Sequence, residues 1–379
     1  MEKDVKMDKI NVLQLQLNSG YGCGVSTYVK NIVSRSPNCR YFVSLNESLT
    51  DDIVQEKLQP IYKQVEKFIR LNDKYSICEI FRRLSELRKN IMTFKIQLVH
   101  AHTLRAGLLG ALVKVFLPSL KLVYTGHGLR YRQKETSLEK FIFFLLEALV
   151  CFQADAIIHI RKSDFQTFLQ AFLPNKAKGK LLNNRIDDIF LNDRVLKPQE
   201  KFAVGCIGNL LDIKNPALFI KIAELLLKKQ PQAKFYWVGG GEKLDFYRQK
   251  VADNANIEFL GVLEGEAKAE FLASLDVFLL VSELETFPTV VLEAYSSATL
   301  VLANAYVGVE DILEDEITGL MFDYNKEQVA VEKLEWIMAN TSVCEIIRQN
   351  GRAHFLKNYS KPQILAQEHE QLYQELLKR

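Results

Sequence analysis

The feature that most constrains this chain is an alternation of short apolar runs and helical stretches, carried through its full 379 residues. Ile10–Leu17, Ile96–His100, Lys121–Thr125 and Ala156–Ile160 read as strands in the first half. Helical patterns fall between them, over Gly107–Phe116 and Leu138–Phe152. The second half repeats the rhythm. Phe202–Ile207, Lys234–Val238, Val277–Val281 and Leu300–Ala303 are strand candidates, and Pro216–Lys229 is a helix with proline in its first turn. Strands that alternate with helices at this spacing pair in parallel, with helices on both faces. Length points the same way, since a single core rarely serves more than roughly 250–300 residues. The expected class is therefore α/β, with two doubly wound domains in series. The polar segment 192–200, with Pro198, is the expected linker. Residues 51–95 read as a charged, largely helical insertion, and Pro362–Lys378 as one amphipathic helix.

Bulk composition excludes several classes. It is that of a globular protein, with no low-complexity or fibrous bias. Six scattered cysteines show no CxxC spacing, which argues against a zinc site and against a disulfide framework. No secretory apolar region follows the charged start Met-Glu-Lys-Asp-Val-Lys, so a reducing cytosol is expected. Charge is unevenly placed. Residues 1–200 carry 31 Lys+Arg against 20 Asp+Glu, and the remainder 18 against 26, so the halves are +11 and −8 within a total of +3. Two readings stay open: two solvated surfaces, or a basic half that faces an anionic surface such as phospholipid. The run Phe141–Phe152 is too short and too interrupted to span a bilayer. It is expected as a buried helix, with an interfacial helix beside the basic Arg130, Arg132, Lys134 and Lys140 as the alternative.

In open parallel sheets ligands sit beyond the carboxyl ends of the strands, and two such sheets face to face would make a cleft. Four strand-end features carry candidate chemistry. Gly20-Tyr-Gly-Cys-Gly24 follows the first strand and opens a helix, where backbone N–H groups can approach a phosphate. His127 lies between two glycines after Lys121–Thr125, a placement exposed to a cleft. Gly208-Asn209 follows the first strand of the second half, and Lys214 stands just before a helix N-terminus, so ammonium and helix dipole can meet one anion. The most specific block is Val277–Glu293. Glu285 lies in the loop after a strand and Glu293 inside the next helix, with the amides of Thr289 and Val290 between them at the helix start.

In this order the four features resemble the retaining GT-B glycosyltransferases of family 4 (glycosyl transferases group 1), which have two Rossmann-like domains facing a central cleft. The matching elements are Gly22–Gly24, Thr125–Gly128, Asn183–Asp187, Asn209…Lys214, the E-x7-E pair Glu285…Glu293, and Gly308-Val-Glu310…Thr318-Gly319-Leu320. Three positions depart from the family pattern. Asn209 stands where an arginine is usual, and Thr286 and Pro288 where glycines are usual.

The resemblance implies an acceptor-side domain over residues 1–196, with the helix 360–379 crossing back onto it, and a nucleotide-sugar-binding domain over 197–359. It implies that Lys214 and the amides near Thr289 and Val290 bind the donor diphosphate, with Gly24, Gly208, Asn209, Phe287 and Pro288 lining the donor site. Glu285 would bond the sugar hydroxyls, Glu293 the ribose hydroxyls, and His127 would lie at the reacting face of the sugar. His127, Glu285 and Lys214 are thus the expected catalytic residues. No cofactor and no metal are required on this reading, because an Asp-x-Asp motif is absent; the donor, with a UDP-sugar first in line, is a substrate. The acceptor would be a glycan or a lipid-linked glycan in surface polysaccharide or lipopolysaccharide synthesis. No nucleic-acid partner is expected. The expected location is the cytoplasm, with the inner face of the membrane left open. The alternatives are a nucleotide-sugar epimerase of the same architecture and a non-catalytic nucleotide-sugar-binding subunit.

Overall fold

A computed structural model describes all residues except 1–8, 18–23, 48, 60–61, 63, 73–76, 130–135, 172–177, 189–200, 286, 306–308, 324–325 and 379. The chain divides into two compact units, one of residues 1–185 with 361–379 and one of residues 186–360. The expected linker 192–200 lies outside the described residues.

The first unit is built on a seven-stranded sheet, all parallel. Its strands are β1 (Ile10–Leu15), β2 (Cys39–Asn46), β3 (Val65–Leu71), β4 (Leu98–His102), β5 (Lys121–Thr125), β6 (Ala156–His159) and β7 (Gly179–Leu181). Their order is β3-β2-β1-β4-β5-β6-β7. The direction of travel reverses between β1 and β4, and such a switch point opens a crevice at the strand ends. The central strands are buried on both faces, as covered parallel sheets require. The helix Gly24–Val33 returns from β1 and packs against the helix Pro362–Lys378, so the end of the chain completes this unit.

The second unit repeats the plan with β8 (Ala203–Ile207), β9 (Lys234–Val238), β10 (Ile257–Gly261), β11 (Val277–Leu280), β12 (Leu300–Asn304) and β13 (Leu320–Phe322). All pairs are parallel, in the order β10-β9-β8-β11-β12-β13, with the switch point between β8 and β11. Trp237, Phe219, Phe235 and Phe278 are fully buried in its core. The helix Pro216–Leu227 starts as the sequence predicts. Asn215 sits in the left-handed region at φ 55°, and its side chain accepts from the Leu218 N–H at 3.2 Å.

Two expectations are corrected. Residues 51–95 are largely helical, over Asp51–Leu58 and Ile77–Thr93, but they are not an insertion, for between those helices they supply β3 at the edge of the first sheet. Charged Glu66, Lys67 and Arg70 face out from that strand while Ile69 and Leu71 are buried, which is how edge strands resist pairing with another chain. The helix Ser137–Gln153 is not a buried one. Thr136 caps it by accepting from the Glu139 N–H at 3.2 Å, but among its residues only Glu147, Val150 and Cys151 are buried. Leu138, Phe141 and Phe152 are each more than half exposed, and Ile142, Leu145 and Leu149 lie on the same open side.

Candidate active site

The second unit gathers most of the candidate residues at the carboxyl ends of β8, β9 and β11. After β8 the chain turns through Gly208, Asn209 and Leu210. After β9 it passes Gly239-Gly-Gly241. The two loops are laced together: the Gly208 N–H donates to the Val238 carbonyl at 2.9 Å and the Leu210 N–H to the Gly240 carbonyl at 2.8 Å. The buried Trp237 donates its indole N–H to the Gly208 carbonyl at 2.8 Å. Gly239, at φ +145°, lies so close that a Cβ there would stand 2.0 Å from the Gly208 oxygen. Only glycine fits such an approach. The loop that leads to Lys214 is thereby fixed from below. Asn209 itself is exposed at the turn.

Lys214 ends a short 3-10 turn, Asp212–Lys214, ahead of the helix Pro216–Leu227. Its stem passes over Gly208, and its ammonium hydrogen-bonds the Glu285 carboxylate. Ser282 donates to the same carboxylate oxygen, Oε1, at 2.8 Å. A backbone bond from the Glu283 N–H to the Ile213 carbonyl, at 2.9 Å, ties the β11 loop to the lysine turn. The sequence reading treated Lys214 and Glu285 as separate ligand contacts. The structure joins them into one ion pair at the switch point of the sheet.

Glu293 forms a second node. It lies in the helix Thr289–Ser296, and its Oε1 accepts from Lys268 Nζ at 2.7 Å. Its other oxygen, Oε2, is buried and has no hydrogen-bond partner among the described residues. A buried acceptor left unpaired costs about 1–3 kcal/mol, which a ligand hydroxyl placed there would recover. Lys268 was missed by the sequence reading. It sits in the helix Gly265–Ala273, outside every motif, and nothing in its local sequence sets it apart from a solvated lysine. At the start of the Thr289–Ser296 helix the Thr289 N–H is donated to the Phe287 carbonyl at 2.9 Å, and the Val291 N–H to that of Pro288. Of the two amides named for a phosphate, that of Thr289 therefore already has an acceptor. Pro288 is buried, and the Phe287 ring meets Tyr359 edge-on at 6.0 Å.

Gly24 and His127 belong to the first unit. Gly24 begins its helix, is exposed, and faces open space where a Cβ would stand. Gly20, Gly22 and Cys23 lie outside the described residues, as do Arg130, Arg132, Lys134, Thr286 and Gly308. His127 follows β5 in the left-handed region at φ 51°. It is partly exposed, and its Nε2 lies 3.1 Å from Nδ1 of His102 at the end of β4. Tyr28 meets its ring edge-on at 5.1 Å. Three further histidines complete a cluster that the sequence reading did not assemble: His100 and His102 on β4, and His369 on the C-terminal helix, all fully buried. Burial first, and then the neighbouring histidines, hold His100 and His102 well below the ordinary histidine pKa. Burial lowers His127 to about 3 and His369 to about 4. All four rings are thus neutral near pH 7.

Comparison with known proteins places both units. Residues 188–354 match the family model for glycosyl transferases group 1, and residues 23–187 that for Glycosyltransferase Family 4. The O-antigen biosynthesis glycosyltransferase WbnH of Escherichia coli is 26% identical over 249 residues, which cover 66% of this chain and 70% of that one. A UDP-Gal:alpha-D-GlcNAc-diphosphoundecaprenol alpha-1,3-galactosyltransferase of the same organism is 20% identical over 335 residues, covering 83% and 86%. Among solved structures, that of Anabaena Alr3699/HepE in complex with UDP-glucose superposes with a TM-score of 0.79. It is 17% identical and covers 97% of this chain and 100% of its own.

Proposed function

Because the chain belongs to the glycosyl transferases group 1 family and is a glycosyltransferase, we propose that it moves a sugar, with retention of configuration, from a UDP-sugar to a glycan or lipid-linked acceptor in surface-polysaccharide synthesis. The observation that carries the reading is the pair of nodes in the second unit: Lys214 on Glu285, and Glu293 with one buried oxygen unsatisfied. Their chemistry suits a nucleotide-sugar. A diphosphate offers anions to Lys214, a ribose offers a pair of hydroxyls to Glu293, and a hexose offers hydroxyls to Glu285. The likeness to the UDP-glucose complex of HepE, and the UDP-Gal donor in the name of the Escherichia coli relative, support UDP as the nucleotide of the donor.

On this reading the resting ion pair opens when donor binds. Lys214 turns to the diphosphate and stabilises it as the sugar–phosphate bond breaks, and Glu285 takes a sugar hydroxyl. The positive charge moves onto the group whose negative charge grows in the transition state, which is where electrostatic stabilisation is most effective. The amide of Val290, with the helix dipole behind it, assists at the phosphate, and Gly208 and Asn209 let the loop come close. Lys268 holds Glu293 for the ribose. Gly24 and His127 of the first unit serve the acceptor and the reacting sugar. The first unit is the acceptor side, and the second the donor side.

The same unit carries the membrane reading. No helix among the described residues is long and apolar enough to cross a membrane. The apolar side of the helix Ser137–Gln153 is exposed within the basic half of the chain, and an amphipathic helix with basic surroundings lies in the plane of an anionic interface. Attachment at the inner face of the membrane would bring the enzyme to a lipid-linked acceptor.

Turnover of a panel of UDP-, GDP- and ADP-sugars, with the product anomer read by NMR, tests the proposal. Retention with a UDP-sugar is expected. Inversion, or turnover with a GDP- or ADP-sugar and none with any UDP-sugar, would overturn it. Release of a free sugar isomer with no acceptor present would instead identify an epimerase.

A further inference from the structure

Asn304 ends β12, the strand beside β11 in the second sheet. It is the polar member of the run Leu300-Val-Leu-Ala-Asn304 and is fully buried. Its backbone is fixed in the sheet, in register with Phe322 of β13, and the next N–H, that of Ala305, donates to the Phe322 carbonyl at 2.9 Å. Its side chain crosses to the first residues beyond β11, where Nδ2 donates to the Ser282 carbonyl at 3.2 Å. A carbonyl can only accept, so this contact fixes which end of the amide is nitrogen. The other end, Oδ1, is buried with no hydrogen-bond partner among the described residues. A half-paired amide is a costly way to fill a core position, and an apolar side chain would leave no such orphan. What Asn304 supplies is therefore its hold on Ser282. The Ser282 carbonyl belongs to the peptide that joins Ser282 to Glu283. The N–H of the same peptide donates to the Ile213 carbonyl, in the lysine turn, at 2.9 Å. One planar peptide is thus gripped from both sides, by β12 at its carbonyl and by the lysine turn at its N–H, and neither group can turn without the other. On one side the Ser282 hydroxyl donates to Glu285 Oε1 at 2.8 Å. On the other, Lys214 ends the turn and its ammonium meets the same oxygen. An exposed tie from Asn215 Nδ2 to Glu283 Oε1, at 3.5 Å, runs alongside.

We propose that Asn304 is a positioning residue for the donor site: through the Ser282–Glu283 peptide, its amide sets the spacing of Lys214 and Glu285. The inference rests on the reading of those two residues as donor contacts. Their ion pair opens when donor enters, and both side chains then swing from a base that must stay in place. The peptide is that base, and β12 is the rigid element that holds it. Small displacements of groups that meet a reacting substrate are costly. The effect is selective for part of the donor. UDP meets Lys214 without Glu285, whereas the sugar of a UDP-sugar needs Glu285 as well, so a loosened peptide penalises the sugar more than the nucleotide.

Amide hydrogen exchange of the full-length protein, without ligand, reports on the peptide itself. Asn304→Leu removes the amide at nearly constant volume. The Glu283 N–H should then exchange about tenfold faster or more, while the core amides of Trp237 and Phe278 keep their protection. Asn304→Ala covers the case of the leucine variant failing to fold. Unchanged exchange at Glu283 in whichever variants fold, or a loss shared evenly with the core amides, would overturn the proposal. Calorimetry with UDP and with UDP-glucose supplies the second readout. Affinity for UDP-glucose should fall about tenfold in the variant and that for UDP by less than about threefold. An equal fall in both would mark general loosening and would also overturn the proposal. A wild type that binds neither ligand would sink the functional reading, while the exchange result would still decide whether Asn304 holds the peptide.

Discussion

Glu293 is where one residue's environment says most. A carboxylate with one oxygen on Lys268 and the other buried without a partner among the described residues is half-satisfied, and the proposed ribose diol would complete it. Glu293→Gln keeps the shape but loses the charge that holds Lys268. We expect kcat/KM for the donor to fall by about 2–4 kcal/mol of transition-state stabilisation, roughly a factor of 30 to 1,000. Lys268→Ala should weaken donor binding with a smaller effect on kcat, because in the proposed site the lysine would orient the carboxylate and not meet the leaving group. An unchanged KM in Lys268→Ala would show that the Lys268–Glu293 pair is a surface ion pair only. Gly239 makes the complementary point for the backbone. Gly239→Ala combines a positive φ with a Cβ placed 2.0 Å from the Gly208 oxygen. The conformation alone costs about 1–3 kcal/mol. A fall of at least that size in unfolding free energy should appear in denaturant melts as a lowered midpoint, and an unchanged midpoint would mean that the two loops are free to part.

At the scale of elements, most inner strands were legible in the sequence, although β2, inside the sheet and almost wholly buried, was not read. β5 and β9 coincide with the runs read from sequence, because an inner strand with its faces largely covered is mostly apolar after its leading lysine. The edges were illegible for the converse reason. β3 carries three charged residues on its open side, and β7 and β13 are three residues long, so neither period nor composition marks them. The helix Ser137–Gln153 was legible as a helix but not in its burial. Its apolar residues suggested a core element, while its open side is a property of the assembled unit, one that only packing reveals. Replacement of Leu138, Phe141 and Phe152 by serine should leave folding stability within about 1.5 kcal/mol, since exposed substitutions are near-neutral, at about 0.5 kcal/mol each. The same variant should lose co-sedimentation with anionic vesicles, and salt should release the wild type from them. Equal binding of variant and wild type would rule out this helix as the membrane contact.

For the whole molecule, the buried histidines of the first unit make stability depend on pH. His369 is fully buried in the first unit and neutral, its pKa held to about 4 against about 6.5 in the unfolded chain. Below pH 6.5 the unfolded state therefore binds the extra proton, and stability falls as pH drops from 6.5 towards 4. Each such histidine contributes up to about 1.4 kcal/mol per pH unit over that window, and His100 and His102 are shifted in the same direction. Denaturant melts at pH 7, 6 and 5 should show a steep loss that His369→Gln blunts, and a flat profile would contradict the buried neutral cluster. Two repeated α/β units were legible from periodicity alone, and the order of strand-end motifs singled out Lys214, Glu285 and Glu293. The linking of Lys214 to Glu285, the contact of Lys268 with Glu293 and the four-histidine cluster were not, because each joins residues far apart in sequence whose separate contexts are ordinary. Donor binding at the second unit is the step on which the proposed transfer depends most directly. Calorimetric titration of UDP-glucose and UDP-galactose into the wild type, Lys214→Ala and Glu293→Gln decides it. Saturable binding of at least one donor that weakens at least tenfold in both variants is the predicted result, and equal affinity across all three proteins would contradict it.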